Sequence, residues 1–337
     1  MLTATLAIVR NTFTESIRQP IYLVLLLLVS VVFVLGLTTS AYTFSDDSLQ
    51  MIVMGLGMVL VGGTTLAALV ATGVLSREIE NRTVLTVISK PVGRPLFVLG
   101  KYLGVAGAIA LATWVWAMVF LLTVRHKVIS AAGDQIDMPV IVFGLSAFAI
   151  AALLAVWGNY FYRWVFTSTF TRTLAVTITL AYLLVLMINK QWQFQPIHTE
   201  FDPALAPVTN YGEVNKSLWQ VVLALALVIE AVWVLTAVAI AASTRLGQVA
   251  TLIIALGFVA LGVASDGLFG RHADTSAVAA TLYHALPNLQ FSFMADALTQ
   301  QSAITPRYLG MATAYNLAFI VAILALAVAL FQTRETG

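Results

Sequence analysis

Eight long apolar runs separated by short polar stretches dominate the pattern of this 337-residue chain. They fall at 21–44, 51–75, 98–124, 139–162, 173–189, 218–242, 249–265 and 307–331. A helix needs about 20 apolar residues to cross the hydrocarbon core, so each run reads as a transmembrane helix. The runs at 173–189 and 249–265 have only 17 residues each. Six spans, with two weak segments lying in or on the membrane, is therefore the alternative. The expected fold is an all-α integral membrane protein, a bundle of about eight (alternatively six) transmembrane helices. Ahead of the first run, Leu2, Leu6, Val9, Phe13 and Ile17 recur at helical spacing, while Arg10, Asn11, Thr14, Glu15 and Arg18 take other faces. Residues 1–20 thus predict an amphipathic helix on the membrane surface. A cleavable signal would instead pair a short basic start with an apolar core of about 7–15 residues. Pro20 suits the first turn of the helix that follows, where its missing N–H does little harm.

Composition agrees with this reading. Hydrophobic residues make up 60% of the chain and the mean hydropathy is +0.95, which excludes a water-soluble fold. There is no Cys, hence no disulfide, thiolate metal site or cysteine nucleophile. No basic domain marks a nucleic-acid partner; the lipid bilayer is the partner that composition implies.

The distribution of charge orients the bundle. With the N-terminus inside, Arg10, Arg18, Arg77, Arg82, Lys90, Arg94, Lys101, Arg163, Arg172, Arg245 and Arg334 fall on the inner side, 11 in all, against 6 outside. The outer six are Arg125, Lys127, Lys190, Lys216, Arg271 and Arg307. Lys and Arg accumulate on the cytoplasmic side, so both termini are expected there, in a bacterial-type inner membrane. Tyr160, Tyr162 and Trp164 beside Arg163, and Trp192, Tyr211 and Trp219 on the other side, suit the two interfaces. No internal repeat or linker is visible, and the segments 190–217 and 266–306 are too short to build cores of their own. Residues 1–337 therefore read as one transmembrane domain.

Within a chain only 9% charged, five Lys and Arg gather in the loop 76–101, SREIENRTVLTVISKPVGRPLFVLGK. Val84, Leu85, Val87 and Ile88 form an apolar ridge behind polar turns at Arg77, Glu78, Glu80 and Arg82. Pro91 disfavours helical geometry at the residue before it, so a short helix should stop near Ser89. Pro91-Val92-Gly93-Arg94-Pro95 then reverses the chain into the next span, where Lys101 is placed to snorkel to the headgroups. On the residues alone, this is either a docking helix for a soluble partner or a basic loop whose ridge lies on the bilayer.

The stretch Glu80 to Lys101 resembles the first cytoplasmic loop of ABC-2-type transporter permeases. The residues carrying the likeness are Glu80, Thr83, Leu85, Ile88, Ser89, Pro91, Val92, Arg94, Gly100 and Lys101, with departures at Arg82 and Gly93. The helix of residues 1–20 also resembles that family's connecting helix. The resemblance implies a subunit that dimerises with a second permease, as a homodimer or a heterodimer. It also implies docking of an ABC ATPase from below through the 76–95 loop, with Glu80, Arg82, Thr83, Leu85, Ile88, Pro91, Arg94 and Lys101 as docking and coupling residues. ATP with Mg would then belong to the ATPase, and no cofactor is expected on this chain. A Walker A motif, G-x-x-x-x-G-K-[ST], is absent: Gly100-Lys101 is followed by Tyr102, and Pro95 stands where the first Gly belongs. The expected function is an exporter permease without catalysis of its own.

Further residues carry chemistry. Glu230 lies near the middle of 218–242, where a charge is expensive and faces protein, a cavity or a partner. It is a structural acid, a proton relay or a contact on a translocation path; a gradient-driven transporter or channel using Glu230 is the alternative function. Gly63, Ala67 and Ala71, and Gly100, Gly104 and Ala108, form small-residue rows for close helix packing, within the chain or at a dimer seam. His126, His198, His272 and His284 fall in expected outer loops without metal spacing, and no catalytic or metal site is expected. Leu282, Leu286, Leu289 and Phe293 form an outer stripe interrupted by Pro287. Its role is a surface-lying loop or, by analogy with the resembling family, a lid.

Overall fold

The computed structural model describes residues 2–37, 47–80, 93–127, 136–197, 218–300 and 302–332. Among these the architecture is helical throughout, with a single isolated β-bridge between Ile188 and Phe194. The long helices are α1 (Leu2–Arg18), α2 (Pro20–Gly36), α3 (Asp47–Glu80), α4 (Arg94–His126), α5 (Met138–Tyr162), α6 (Phe166–Met187), α7 (Leu218–Ser243) and α8 (Gln248–Val263). Three short helices follow, α9 (Ser265–Leu268), α10 (Ala277–Ala285) and α11 (Ala295–Thr299), before the last long one, α12 (Pro306–Gln332).

Among the described residues six helices, α3 to α7 and α12, are long and apolar enough to cross a membrane. The count rises to 8 if two bent pairs each make one span: α1 with α2, at 63°, and α8 with the segment through His272, at 69°. Gln19 at the first bend is extended, with ψ 131, and leads into Pro20 at the first helical position. At 16 residues α8 is about 24 Å long, short of the hydrocarbon thickness.

The run expected at 173–189 is longer than hydropathy indicates. α6 begins at Phe166 because the hydroxyls of Ser168, Thr169 and Thr171 donate back to Val165 O, Val165 O and Thr167 O at 3.1, 3.0 and 2.9 Å. These local bonds carry the helix through a polar stretch, and its 22 residues reach about 33 Å. The first expected span, 21–44, ends as a helix at Gly36, with 38–46 outside the described residues.

α4 and α7 form the core. In each, 72% of the most apolar window is buried, against 22% in α5 and α12, which therefore turn wide apolar faces outward. α2 lies along α4: the Tyr22 hydroxyl donates to Ala108 O at 2.7 Å, the Trp116 indole to Leu26 O at 3.0 Å, and Phe33 packs on Phe120. α5 and α6 form a tight hairpin, closed by Arg163 in the left-handed region, φ 56.

The glycine rows serve packing within the chain. A Cβ on Gly63 would lie 2.7 Å from Val232 of α7, and one on Gly100 2.9 Å from Ile8. At Gly104 it would lie 2.5 Å from Thr12 and 2.8 Å from the Val9 carbonyl oxygen, so α1 seats backbone-close on α4. The amphipathic helix thus turns Ile17 and, in part, Phe13 of the expected stripe inward, adds Thr12 and Ser16 to the buried face, and leaves Leu6 exposed. An uninterrupted apolar ridge is unnecessary where glycine lets the helices touch.

Candidate functional site

Three regions bear on function: the end where α3 and α4 meet, called inner after the expectation from charge; the bundle interior around Glu230; and the layer at the opposite end, called outer.

At the inner end, α3 runs to Glu80, five residues beyond its apolar span Leu49–Leu75, and α4 returns from Arg94. Arg82, Thr83, Leu85, Ile88 and Pro91 lie outside the described residues, as does the side chain of Glu80. Arg94 and Lys101 have definite places. Arg94 Nη1 donates to Gln332 O at 2.9 Å and Arg245 Nε donates to Leu330 O at 3.0 Å. Two arginines from different loops thus satisfy carbonyls that the last turn of α12 leaves unpaired, at the negative end of its dipole. Phe97 stacks on Phe331 beside them, centroids 5.6 Å apart. Lys101 does not snorkel as expected. It is 2% exposed, with its Nζ 5.6 Å from the Phe97 ring centroid, in the stretch of α4 where the neighbouring Gly100 and Gly104 seat α1.

In the interior, Glu230 is half-buried and both of its oxygens accept hydrogen bonds. Thr313 Oγ1 donates at 2.8 Å and Asn316 Nδ2 at 3.1 Å, both from α12. Asn316 is buried and also donates to Ser292 Oγ at 2.9 Å, in the segment between α10 and α11. The one mid-span acid therefore ties α7 to α12 and to the outer layer. Sequence reasoning found Glu230 but missed Thr313, Asn316 and Ser292. Asn316, a polar residue ten positions into an apolar helix, was the available signal.

The outer layer is built from α9, α10, α11 and two short 3-10 turns, Gly270–His272 and Leu289–Phe291. It dips along α12 rather than lying free. The Tyr315 hydroxyl accepts from Asn288 N at 2.8 Å, and the Tyr308 hydroxyl donates to Phe291 O at 2.8 Å. Leu289 is buried against Gly262, while Leu282 is exposed, so the expected stripe is split around Pro287. Asp266 Oδ1 accepts from Tyr283 and Asn288 at 2.9 and 2.7 Å. The bond to Asp266, ahead of burial, raises the Tyr283 phenol above its ordinary value of 10.0. His272 and His284 are exposed there, whereas His126 departs from expectation: it ends α4, buried, with Nδ1 2.9 Å from Lys127 O. His198 lies outside the described residues.

Nearby, Arg125 Nε pairs with the fully buried Asp137 at 3.3 Å, and Arg125 Nη2 donates to Ile188 O. Asp137 also caps α5 by accepting from Val140 N. An apolar cavity of about 290 Å³ lies between α2, α4, α5 and α6 at this end, lined among others by Val34, Leu122, Ile141, Leu145 and Phe148.

Long apolar helices with most of their ionisable residues gathered at the ends define a multi-pass integral membrane protein. The chain belongs to the ABC-2 family of transporter proteins: the family model matches residues 6–197, more than half of its length. It is accordingly a membrane transport component, and membership implies an ABC ATPase partner in general terms. Comparison with curated proteins gives no match.

Proposed function

We propose that this permease is the membrane subunit of an ABC exporter, paired with a second permease and driven by a separate ATPase that docks on the 76–95 loop. The observation that carries the reading is the basic loop between α3 and α4 in a chain of this family, with its apolar ridge at Leu85 and Ile88. ATP with Mg is held by the ATPase, since this chain offers no Walker A loop to cradle phosphates. Glu80, Arg82, Thr83 and Pro91 shape the docking element. Arg94, at the start of α4, connects it to α12, and Gly100 beside the buried Lys101 seats α1, so a push on the loop reaches two further helices directly. The termini lie in the cytoplasm of a bacterial-type cell. Co-purification in mild detergent with the cognate Walker-motif ATPase tests this. Leu85→Asp with Ile88→Asp should abolish the complex and leave membrane insertion intact; a complex that survives both changes removes the loop as the coupling element.

A second reading, a gradient-driven transporter using Glu230, is favoured by one observation: a carboxylate held in the bundle by neutral donors. It predicts that Glu230→Gln stops transport in a protein that stays folded and needs no ATPase.

A further inference from the structure

We propose that the inner end carries a binding site for the phosphate of an anionic phospholipid headgroup, built from Arg18, Arg163 and Arg172. These residues come from three places in the chain: the last turn of α1, the link between α5 and α6, and the second turn of α6. They line one open cavity of about 470 Å³, together with Trp164, Ser168 and Thr173. All three arginines are exposed, no carboxylate lines the cavity, and no ion pair engages them among the described residues.

Three like charges converge here in a chain with 17 Lys and Arg in all, and the backbone fixes them in place. Thr167 Oγ1 donates to Arg18 O at 3.1 Å, tying the end of α1 to the start of α6. Arg163 takes the left-handed conformation, φ 56, which is unfavourable for a side chain larger than glycine. It is locked there by the Trp164 N–H on Gly158 O at 3.1 Å and by Asn159 Nδ2 on Trp164 O at 2.7 Å. Gly158 is what allows this: a Cβ there would lie 2.4 Å from the Trp164 ring. The first turn of α6 also opens toward the cavity without a side-chain cap. Its free N–H groups add to a field that favours an anion.

The depth of the site argues for lipid. Tyr160, Phe161, Tyr162 and Trp164 are all exposed next to it, and amphipathic rings settle at the headgroup level. A phosphodiester there meets guanidinium forks that match its oxygens. The headgroup should carry net negative charge, because a choline would place a cation among three others.

Native mass spectrometry of the intact chain released from detergent, with phosphatidylglycerol or phosphatidylcholine added, tests the site. The unmodified protein should retain phosphatidylglycerol preferentially. Each of Arg163→Gln and Arg172→Gln should weaken retention about fivefold, as expected for one interfacial charge. The triple change with Arg18→Gln should erase the preference. Arg271→Gln with Arg307→Gln, in the outer region, should leave it intact. Equal retention of the two lipids by the unmodified protein overturns the proposal, whatever the variants do. So does displacement of phosphatidylglycerol by inorganic phosphate, which would assign the site to a soluble anion.

Discussion

Gly104 shows how one missing side chain sets the place of a whole helix. Its Cα faces Thr12 Cβ and the Val9 carbonyl so closely that even a methyl group must push α1 away. Gly104→Ala should therefore cost about 1–3 kcal/mol, the range for overpacking a well-filled contact. The loss should appear as a lower unfolding temperature in detergent and faster hydrogen exchange in α1. Gly57→Ala is the matched control, since nothing lies within 4 Å of the added atom. It should be neutral or gain up to about 1 kcal/mol from reduced backbone freedom. At this scale sequence was an uneven guide. The Gly100–Gly104–Ala108 row was visible as a close-packing surface, but its partner was not, because spacing does not say which helix fills a groove. Lys101 was misplaced for a related reason: snorkelling assumes free space above the side chain, and in the folded bundle that side chain is 2% exposed.

α12 and α5 are the least enclosed of the six candidate spans, and α12 is fastened by polar contacts at two levels. Arg94 and Arg245 hold its last turn, and Glu230 holds Thr313 and Asn316 within the bundle. Hydrogen bonds between membrane helices average about 0.6 kcal/mol, with a maximum near 1.7. Thr313→Val should thus lower stability by about 0.6 kcal/mol. Asn316→Leu, which loses bonds to both Glu230 and Ser292, should lower it by about 1–2 kcal/mol and loosen residues 286–293. Thermal denaturation with hydrogen exchange on the same samples measures both. A larger effect from Thr313→Val than from Asn316→Leu would contradict the fastening described here. The limits of hydropathy show at this scale as well. It placed α3, α4, α5, α7 and α12 within a few residues of their apolar cores, because lipid demands uninterrupted apolar length. It truncated α6, whose opening turns are Thr-rich, and it could not foresee that Ser292 and Asn316, far apart in sequence, complete the shell of Glu230.

For the molecule as a whole, contacts between chain ends fix which loops share a side. Arg18 meets Thr167, Arg94 meets Gln332 and Arg245 meets Leu330, so these segments gather at one end. Arg125 meets Asp137 and Ile188, and Ile304 N donates to Gln220 Oε1 at 2.8 Å, at the other. This alternation requires α2 and α8 each to carry the chain across, although neither is as long as the six full spans. The orientation proposed above places the first end in the cytoplasm, on the Lys and Arg bias. Because the chain lacks Cys, single cysteines report sidedness without background. Gln191→Cys and Asp274→Cys should react with a membrane-impermeant maleimide on intact cells. Arg82→Cys and Gln248→Cys should react only after the membrane is opened. Asp274 is the decisive position, since it follows the bend after α8. If it is protected on intact cells while Gln191 reacts, α8 turns back without crossing. In that case α12 would begin on the cytoplasmic side, and the bond between Ile304 and Gln220 could not form with α7 starting outside. Labelling at Asp274 thus tests the crossing of α8 and the contact between Ile304 and Gln220 together.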